Sequence, residues 1–478
     1  QESKHEYFIN FRIWNLDEQK SAKEFNLKIF DKLNIDFAIN LINILSNFNN
    51  NLAKLLVIHI ENDELKELFN QKLLDFEDLN KAKIDIKTFS YFEECSNDLF
   101  EKYSFVPNEI IQTNDEIKTL ILGNGNLAVN IIKNLLLLSN LPNKNPHNIY
   151  LFDEKADDFF EKIELKTFYS KEKFPTINII PVNISYKNIK YFKQDLFKDE
   201  NLTNIYICYD DEQTNLNLSI ELNDKIFIKK DIKATLFLAL FDNYSFIKDL
   251  RFIDKFIVFG NKKDIFSKDR LIDEKNYTIS KLIHNGYGDE FKRENLVLNE
   301  QSLNKKWFNI QKYSDRLSSI AQAKHLNIKL QALGLYKTKS NENKKTLLGK
   351  NIKIFDEILN PLLEQSRTGY DSIHESSLEL EKFWSNQDYE IKYLPLEYKT
   401  LFEKLIECEH ERWNAFHYIN GWEFSEEKNK GKKLHNCLKS IRDFKEKELQ
   451  ITILYDIYSI LYLPNYLASA GYEIKEHN

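Results

Sequence analysis

Two short stretches carry residue types whose spacing could do chemistry. In "LILGNGNLA" (120–128), Gly123, Gly125 and Ala128 stand in the pattern G-x-G-x-x-A. A first glycine there permits a tight turn, a second lets a pyrophosphate approach the backbone, and a small third residue lets helix and strand pack closely. The anion would then rest on unpaired N–H groups at a helix N-terminus. The backbone of Asn124, Asn126 and Leu127 lines the same turn. Asp153, thirty residues beyond Gly123, closes the next strand in "HNIYLFDE", with Glu154 after it. A carboxylate at that place accepts both ribose hydroxyls of an adenine nucleotide and repels a 2′-phosphate. Asp210 and Asp211 follow a later strand and fall at the loop edge of such a site; solvated loop carboxylates are an equal reading. The expected cofactor is NAD or another adenine nucleotide.

The second stretch is "CEHERWNAFHYINGWEF" (408–424). Cys408 with His410, and His435 with Cys437, suggest a metal clamp. On a helix, however, residues two apart point about 200° from each other, and zinc ligands want a spacing of three or four. No metal ligand is therefore assigned. Cys408 has no glycine turn to expose it as a nucleophile, so no catalytic residue is assigned either. The remaining reading is aromatic: His410, Arg412, Trp413, Trp422 and His435 gather polar handles on an apolar body. Packing and a ligand pocket both remain open. A pocket of this kind would suit a planar or phosphorylated small molecule.

The elements that must position these residues follow from periodicity. Residues 1–115 alternate strand-like and helix-like segments: "EYFINFRIW", "LLVIHI" and "IDIKTFS" as strands, "DEQKSAKEFNLKIFDKL" and "YFEECSNDLFEKY" as helices. "SFVPNEIIQTNDE" (104–116) looks like a linker out of this region. Residues 116–262 carry five strand signals, the last being "KFIVFGN", separated by helical crossovers, which predicts a parallel, doubly wound sheet. Residues 263–390 form a mainly helical connection and 391–478 a helical module, with "KTKSNENKK" (337–345) a polar loop.

Composition narrows the classes. A net charge of −7 with interspersed Lys and Asp/Glu argues against a nucleic-acid surface. Four cysteines in 478 residues are no disulfide framework, so a cytoplasmic setting is expected. "QESKHEYFIN" lacks a signal peptide's apolar core, and "ITILYDIYSILYLPNYLASA" (451–470) carries Asp456 and Pro464, so it reads as a buried helix and turn. Methionine is absent altogether.

The features "LILGNGNLA", "IYLFDE" and "IYICYDDEQTNLNLS" resemble the TrkA-N (RCK-type) nucleotide-binding domain of potassium-transport regulators. The C-terminal run is similar to the RyR domain, the repeat module named from ryanodine receptors. Its signature is carried by Glu409–His410, Arg412–Trp413, Gly421–Trp422, Lys433, His435, Asp456 to Pro464, and Leu467 to Gly471–Tyr472, with Ser425 where the family has glycine. Together these resemblances imply a Rossmann-like doubly wound parallel sheet, preceded by a smaller α/β region and followed by a mostly helical RyR-type domain. They imply a ligand-sensing regulator: a nucleotide at the glycine turn, a second ligand or partner at the RyR module, a homo-oligomer, and an ion-channel pore or other membrane partner. The alternatives are an NAD-dependent oxidoreductase, for which Tyr244 and Lys248 have the Y-x-x-x-K spacing, and a non-catalytic interaction scaffold.

Overall fold

The computed structural model describes residues 25–46, 54–74, 84–185, 202–223, 234–242, 253–272, 274–286, 303, 307, 313–342, 346–347, 384–385, 390–391, 396–445, 449 and 452–477. The strand read at "EYFINFRIW" and the Tyr244–Lys248 pair lie outside the described residues. The chain divides into two compact units, residues 1–91 and 92–478.

In the first unit, α1 (Phe25–Ser46) precedes β1 (Lys54–His59), α2 (Asp63–Leu74) and β2 (Ile84–Phe89). The two strands pair in parallel from Lys54–Ile84 to His59–Phe89, with the helix as crossover. The Asp31 carboxylate of α1 accepts the N–H groups of Glu61 and Asn62 at 2.9 and 2.7 Å, tying the helix to the end of β1.

Helix α3 (Tyr91–Lys102) lies in the second unit from Phe92 onward, and that unit continues into a six-stranded sheet. Its strands are β3 (Ile117–Leu122), β4 (His147–Asp153), β5 (Ile177–Asn183), β6 (Leu202–Ile207), β7 (Thr235–Ala239) and β8 (Phe256–Phe259). All neighbours run parallel, in the order β5-β4-β3-β6-β7-β8. Numbered within the sheet this is 3-2-1-4-5-6, the order of doubly wound, Rossmann-like sheets. One strand of this sheet was missed from sequence: β7, "TLFLA", too short and continuous in its apolar run to stand apart from a buried helix.

The crossover helix α4 (Asn126–Leu138) follows the glycine turn directly, and α5 (Ala156–Thr167) and α6 (Glu212–Leu222) follow β4 and β6. Nearly every residue of α4 is buried. A helix buried nearly all round has neighbours nearly all round: Leu137 packs against Ala321 and Phe416, and Asn134, on a stripe with Asn126 and Asn130, donates to Ser96 Oγ of α3 at 2.8 Å.

Those partners belong to α8 (Tyr313–Ala332), preceded by α7 (Thr278–Gly286), and to the long α9 (Leu396–Ile419). The C-terminal module ends in α10 (Ile453–Leu461), α11 (Leu463–Ser469) and a final strand, Tyr472–Glu476. That strand pairs antiparallel with Leu335–Lys339. Residues 337–339, read from sequence as the start of a polar loop, are therefore strand. Their partner lies far along the chain, and Lys339 is held over the Tyr472 ring at 3.9 Å. Segment 104–116 is likewise packed rather than extended: Phe105, Val106 and Ile111 are buried, and Gln112 donates to the Gln331 carbonyl at the end of α8 at 2.6 Å. No described helix is long and apolar enough to cross a membrane.

Candidate functional site

The glycine turn sits at the C-terminal edge of β3, where doubly wound sheets place ligands. Gly125 is the N-cap of α4 with extended backbone and no side chain to satisfy the first N–H groups. Asp210, arriving from the end of β6, does so instead. Its Oδ2 accepts from the Asn126 N–H at 2.8 Å and its Oδ1 from the Leu127 N–H at 3.0 Å. The carboxylate lies in the space a Gly125 side chain would need: a Cβ there would fall 2.2–2.4 Å from it. A Cβ on Gly123 would fall 2.6 Å from the Cys208 carbonyl oxygen. Both glycines therefore permit the close approach of the segment leaving β6. The place reserved on sequence grounds for a pyrophosphate holds Asp210.

Asp153 is buried at the end of β4. Its Oδ2 accepts from the Asn124 side-chain amide at 3.0 Å and from the Tyr209 hydroxyl at 3.3 Å, and its Oδ1 from the Lys155 N–H at 3.0 Å. Asn215 fixes Tyr209 from α6, accepting the Tyr209 N–H at 2.7 Å and donating to the Tyr209 carbonyl at 2.8 Å. Asp211 caps α6 through the Thr214 N–H at 3.1 Å. Glu154 and Asp210 are exposed, and Ala128 packs inside, where a larger side chain would hold helix and strand apart. Gly123, Asn124, Gly125, Asn126, Leu127, Asp153 and Asp210 thus meet at one edge of the sheet. Tyr209 was not singled out from sequence, because nothing in its neighbours says that its hydroxyl reaches back to β4.

The far end of α4 touches the other modules. The Asn140 carbonyl accepts from His325 Nε2 on α8 at 2.8 Å and from Cys408 Sγ on α9 at 3.0 Å. Burial pushes the His325 pKa down to about 3 and the Cys408 thiol up, so both stay as neutral donors. Gly421, at the end of α9 with φ +75°, lies against the ring of Phe168, which follows α5. Phe174 meets Tyr418 edge-on with centroids 6.1 Å apart.

In the C-terminal module four rings close a circuit. Trp413 lies 4.0 Å from His417 and 5.1 Å from His435, and Trp422 lies 5.3 Å from His417 and 6.2 Å from His435, measured between centroids. Trp413, His417 and Trp422 are half-buried. Burial lowers the His417 pKa to about 3; burial together with Lys428 and Lys430 lowers that of His435 to about 4. Both imidazoles are neutral at pH 7. His417 joins the group unannounced, although its i+4 spacing from Trp413 was visible.

Two expected members stand apart from this circuit. His410 stacks on Trp413, but its Nδ1 faces Asp456 Oδ2 at 3.1 Å, while its Nε2 faces the Cys437 and Lys439 carbonyls at 3.2 and 2.9 Å. Acceptors on both nitrogens call for an imidazolium; burial lowers the His410 pKa, the Asp456 carboxylate outweighs it, and the net shift is upward. Arg412, one residue from Trp413 and so about 100° around the helix, is buried in a fork with Glu409. It faces α8 rather than the rings, because a buried guanidinium needs its carboxylate. Among the described residues no group of three or more His, Cys, Asp or Glu side chains is placed to hold a metal ion.

No family model matches this chain, and no curated protein or solved structure matches it.

Proposed function

We propose that this chain is a regulatory protein without catalytic turnover, which receives an adenine nucleotide, NAD or a relative, at the Gly123–Ala128 turn and relays its presence to the C-terminal module. The glycine turn, the strand order and Asp153 at the end of β4 support the ligand class. The observation that carries the regulatory half is the course of α4. It begins at the turn and ends beside Asn140, whose carbonyl is held by His325 and Cys408 from α8 and α9. A ligand that binds more strongly to one arrangement of these helices shifts their populations, and a few kcal/mol of difference is enough. The C-terminal module, read as RyR-type, offers the half-buried Trp413, His417 and Trp422 rings beside His435 to a second, planar ligand or to a partner. A membrane-embedded pore is the partner that the TrkA-N resemblance implies, with the chain as a homo-oligomer.

Mass spectrometry of the denatured protein and calorimetry with NAD, NADP and ADP test this reading. NAD or ADP should bind, NADP more weakly because Asp153 repels a 2′-phosphate, and small-angle scattering should change on binding. Gly125→Val should abolish binding. Absence of binding in the folded protein would overturn the reading, and so would hydride transfer to a carbonyl substrate that Gly125→Val removes. A second reading, an interaction scaffold, is favoured by one observation: the donors of the turn are already satisfied by Asp210.

A further inference from the structure

We infer that the two-residue segment Tyr209–Asp210 is an internal stand-in for the nucleotide, which the ligand must displace; this rests on the nucleotide reading above. A nucleotide in a Rossmann-like site presents two chemical features to the protein. Its phosphates accept N–H groups at the start of the first crossover helix, and its ribose hydroxyls donate to the acid closing the second strand. Here one short segment supplies both. The Asp210 carboxylate accepts the Asn126 and Leu127 N–H groups at 2.8 and 3.0 Å, and the Tyr209 hydroxyl donates to Asp153 Oδ2 at 3.3 Å. The anion is in the phosphate's place and the hydroxyl in the ribose's.

The segment is also connected to what would move. Tyr209 is clamped by Asn215, which reaches on to the Ala239 carbonyl at the end of β7 at 3.1 Å, and Asp211 caps α6. A phosphate that takes the α4 N-terminus expels Asp210, because the two anions cannot share two N–H groups. Withdrawal of Asp210 pulls on Tyr209 and frees Asp153 for the ribose. Opening is therefore a single concerted step, and its cost appears as a weakened apparent affinity, the intrinsic Kd divided by the open fraction.

The test is calorimetric titration of the full chain with NAD and with ADP, for the wild type, Asp210→Asn, Asp210→Ala and Tyr209→Phe, with thermal melts to verify folding. Both Asp210 variants should bind about tenfold or more tightly than wild type, as for a site open about a tenth of the time. Tyr209→Phe keeps the net charge and should also tighten binding, which separates displacement of a stand-in from simple removal of a repelling charge. Equal or weaker binding by folded Asp210→Asn overturns the proposal and leaves the nucleotide reading standing, as does tightening in the Asp210 variants alone with none in Tyr209→Phe. Absence of binding to all four proteins overturns both.

Discussion

Glu409→Gln offers the sharpest check on how the modules are held together. The Glu409 carboxylate, on α9, accepts Arg412 Nη2 at 2.8 Å and Nε at 3.1 Å, and Lys329 Nζ, from α8, lies 2.7 Å away. All three side chains are 1–2% exposed. Burial by itself raises a carboxyl's pKa; Arg412 and Lys329 overcome it and bring Glu409 down from 4.5 to about 2. At about 1.4 kcal/mol per tenfold in proton affinity, that difference corresponds to about 3 kcal/mol. Glutamine removes the charge and turns an N–H₂ toward cationic donors, leaving two buried cations uncompensated. Breaking a buried pair this way costs about 3–5 kcal/mol. Lys329→Met leaves the Arg412 fork intact and should cost less, about 2 kcal/mol. Urea unfolding followed by tryptophan fluorescence measures both, since Trp413 and Trp422 sit in the module concerned. The same carboxylate fixes the sign of an acid dependence. Its folded pKa is depressed, so its contribution is complete above about pH 4.5 and is lost as the pH falls toward about 2. Glu409→Gln should lack that part of the acid slope. A loss below about 1 kcal/mol for Glu409→Gln, or a larger loss for Lys329→Met, would refute the reasoning.

Asp153→Ala should weaken adenine-nucleotide binding by roughly 1–3 kcal/mol, the loss of charge-assisted hydrogen bonds; unchanged affinity by calorimetry removes Asp153 from the site. Gly421→Ala should cost about 1–2 kcal/mol for a left-handed residue, with more from the Phe168 ring 2.9 Å from the new Cβ; thermal melting and faster proteolysis at the end of α9 would register it. His147 lies between Thr119 Oγ1 at 2.8 Å and Ser139 Oγ at 2.6 Å, and burial lowers its pKa to about 3. With a folded pKa below the unfolded one, near 6.5, its contribution is present above that pH and lost as the pH falls toward 3. His147→Gln should therefore flatten the fall in unfolding free energy between pH 6.5 and 4, and an unaltered slope would exclude His147 as a source.

The sheet was largely legible because its evidence is local. Apolar runs, helical spacing and the Gly123–Gly125 turn each lie within a dozen residues, so β3, α4, β4 and β6 could be placed in order. Strand β7 escaped because a five-residue apolar run has no period of its own. The strand at 335–339 escaped because lysines hide a partner more than a hundred residues away. At the site, the residue types and approximate places of Gly123, Gly125, Asp153 and Asp210 could be read, as could the proximity of Trp413, Trp422 and His435.

By itself the sequence determined which backbone could make the tight turn after β3, since only glycine leaves room at 123 and 125 for the close approach of the segment that leaves β6. It also determined which helical residues share a face, because the rise and turn of a helix are properties of the backbone. Tertiary structure alone decided what fills the turn. Asp210 reaches α4 because β6 lies beside β3, and Tyr209 reaches Asp153 because β4 lies on the other side of β3. It likewise decided that Arg412 turns to Glu409, which Lys329 of α8 also meets, rather than to the rings, since the packing of α8 on α9 buries that face. Hydrogen bonds and ion pairs act over a few ångströms of space, and distance along the chain does not specify them.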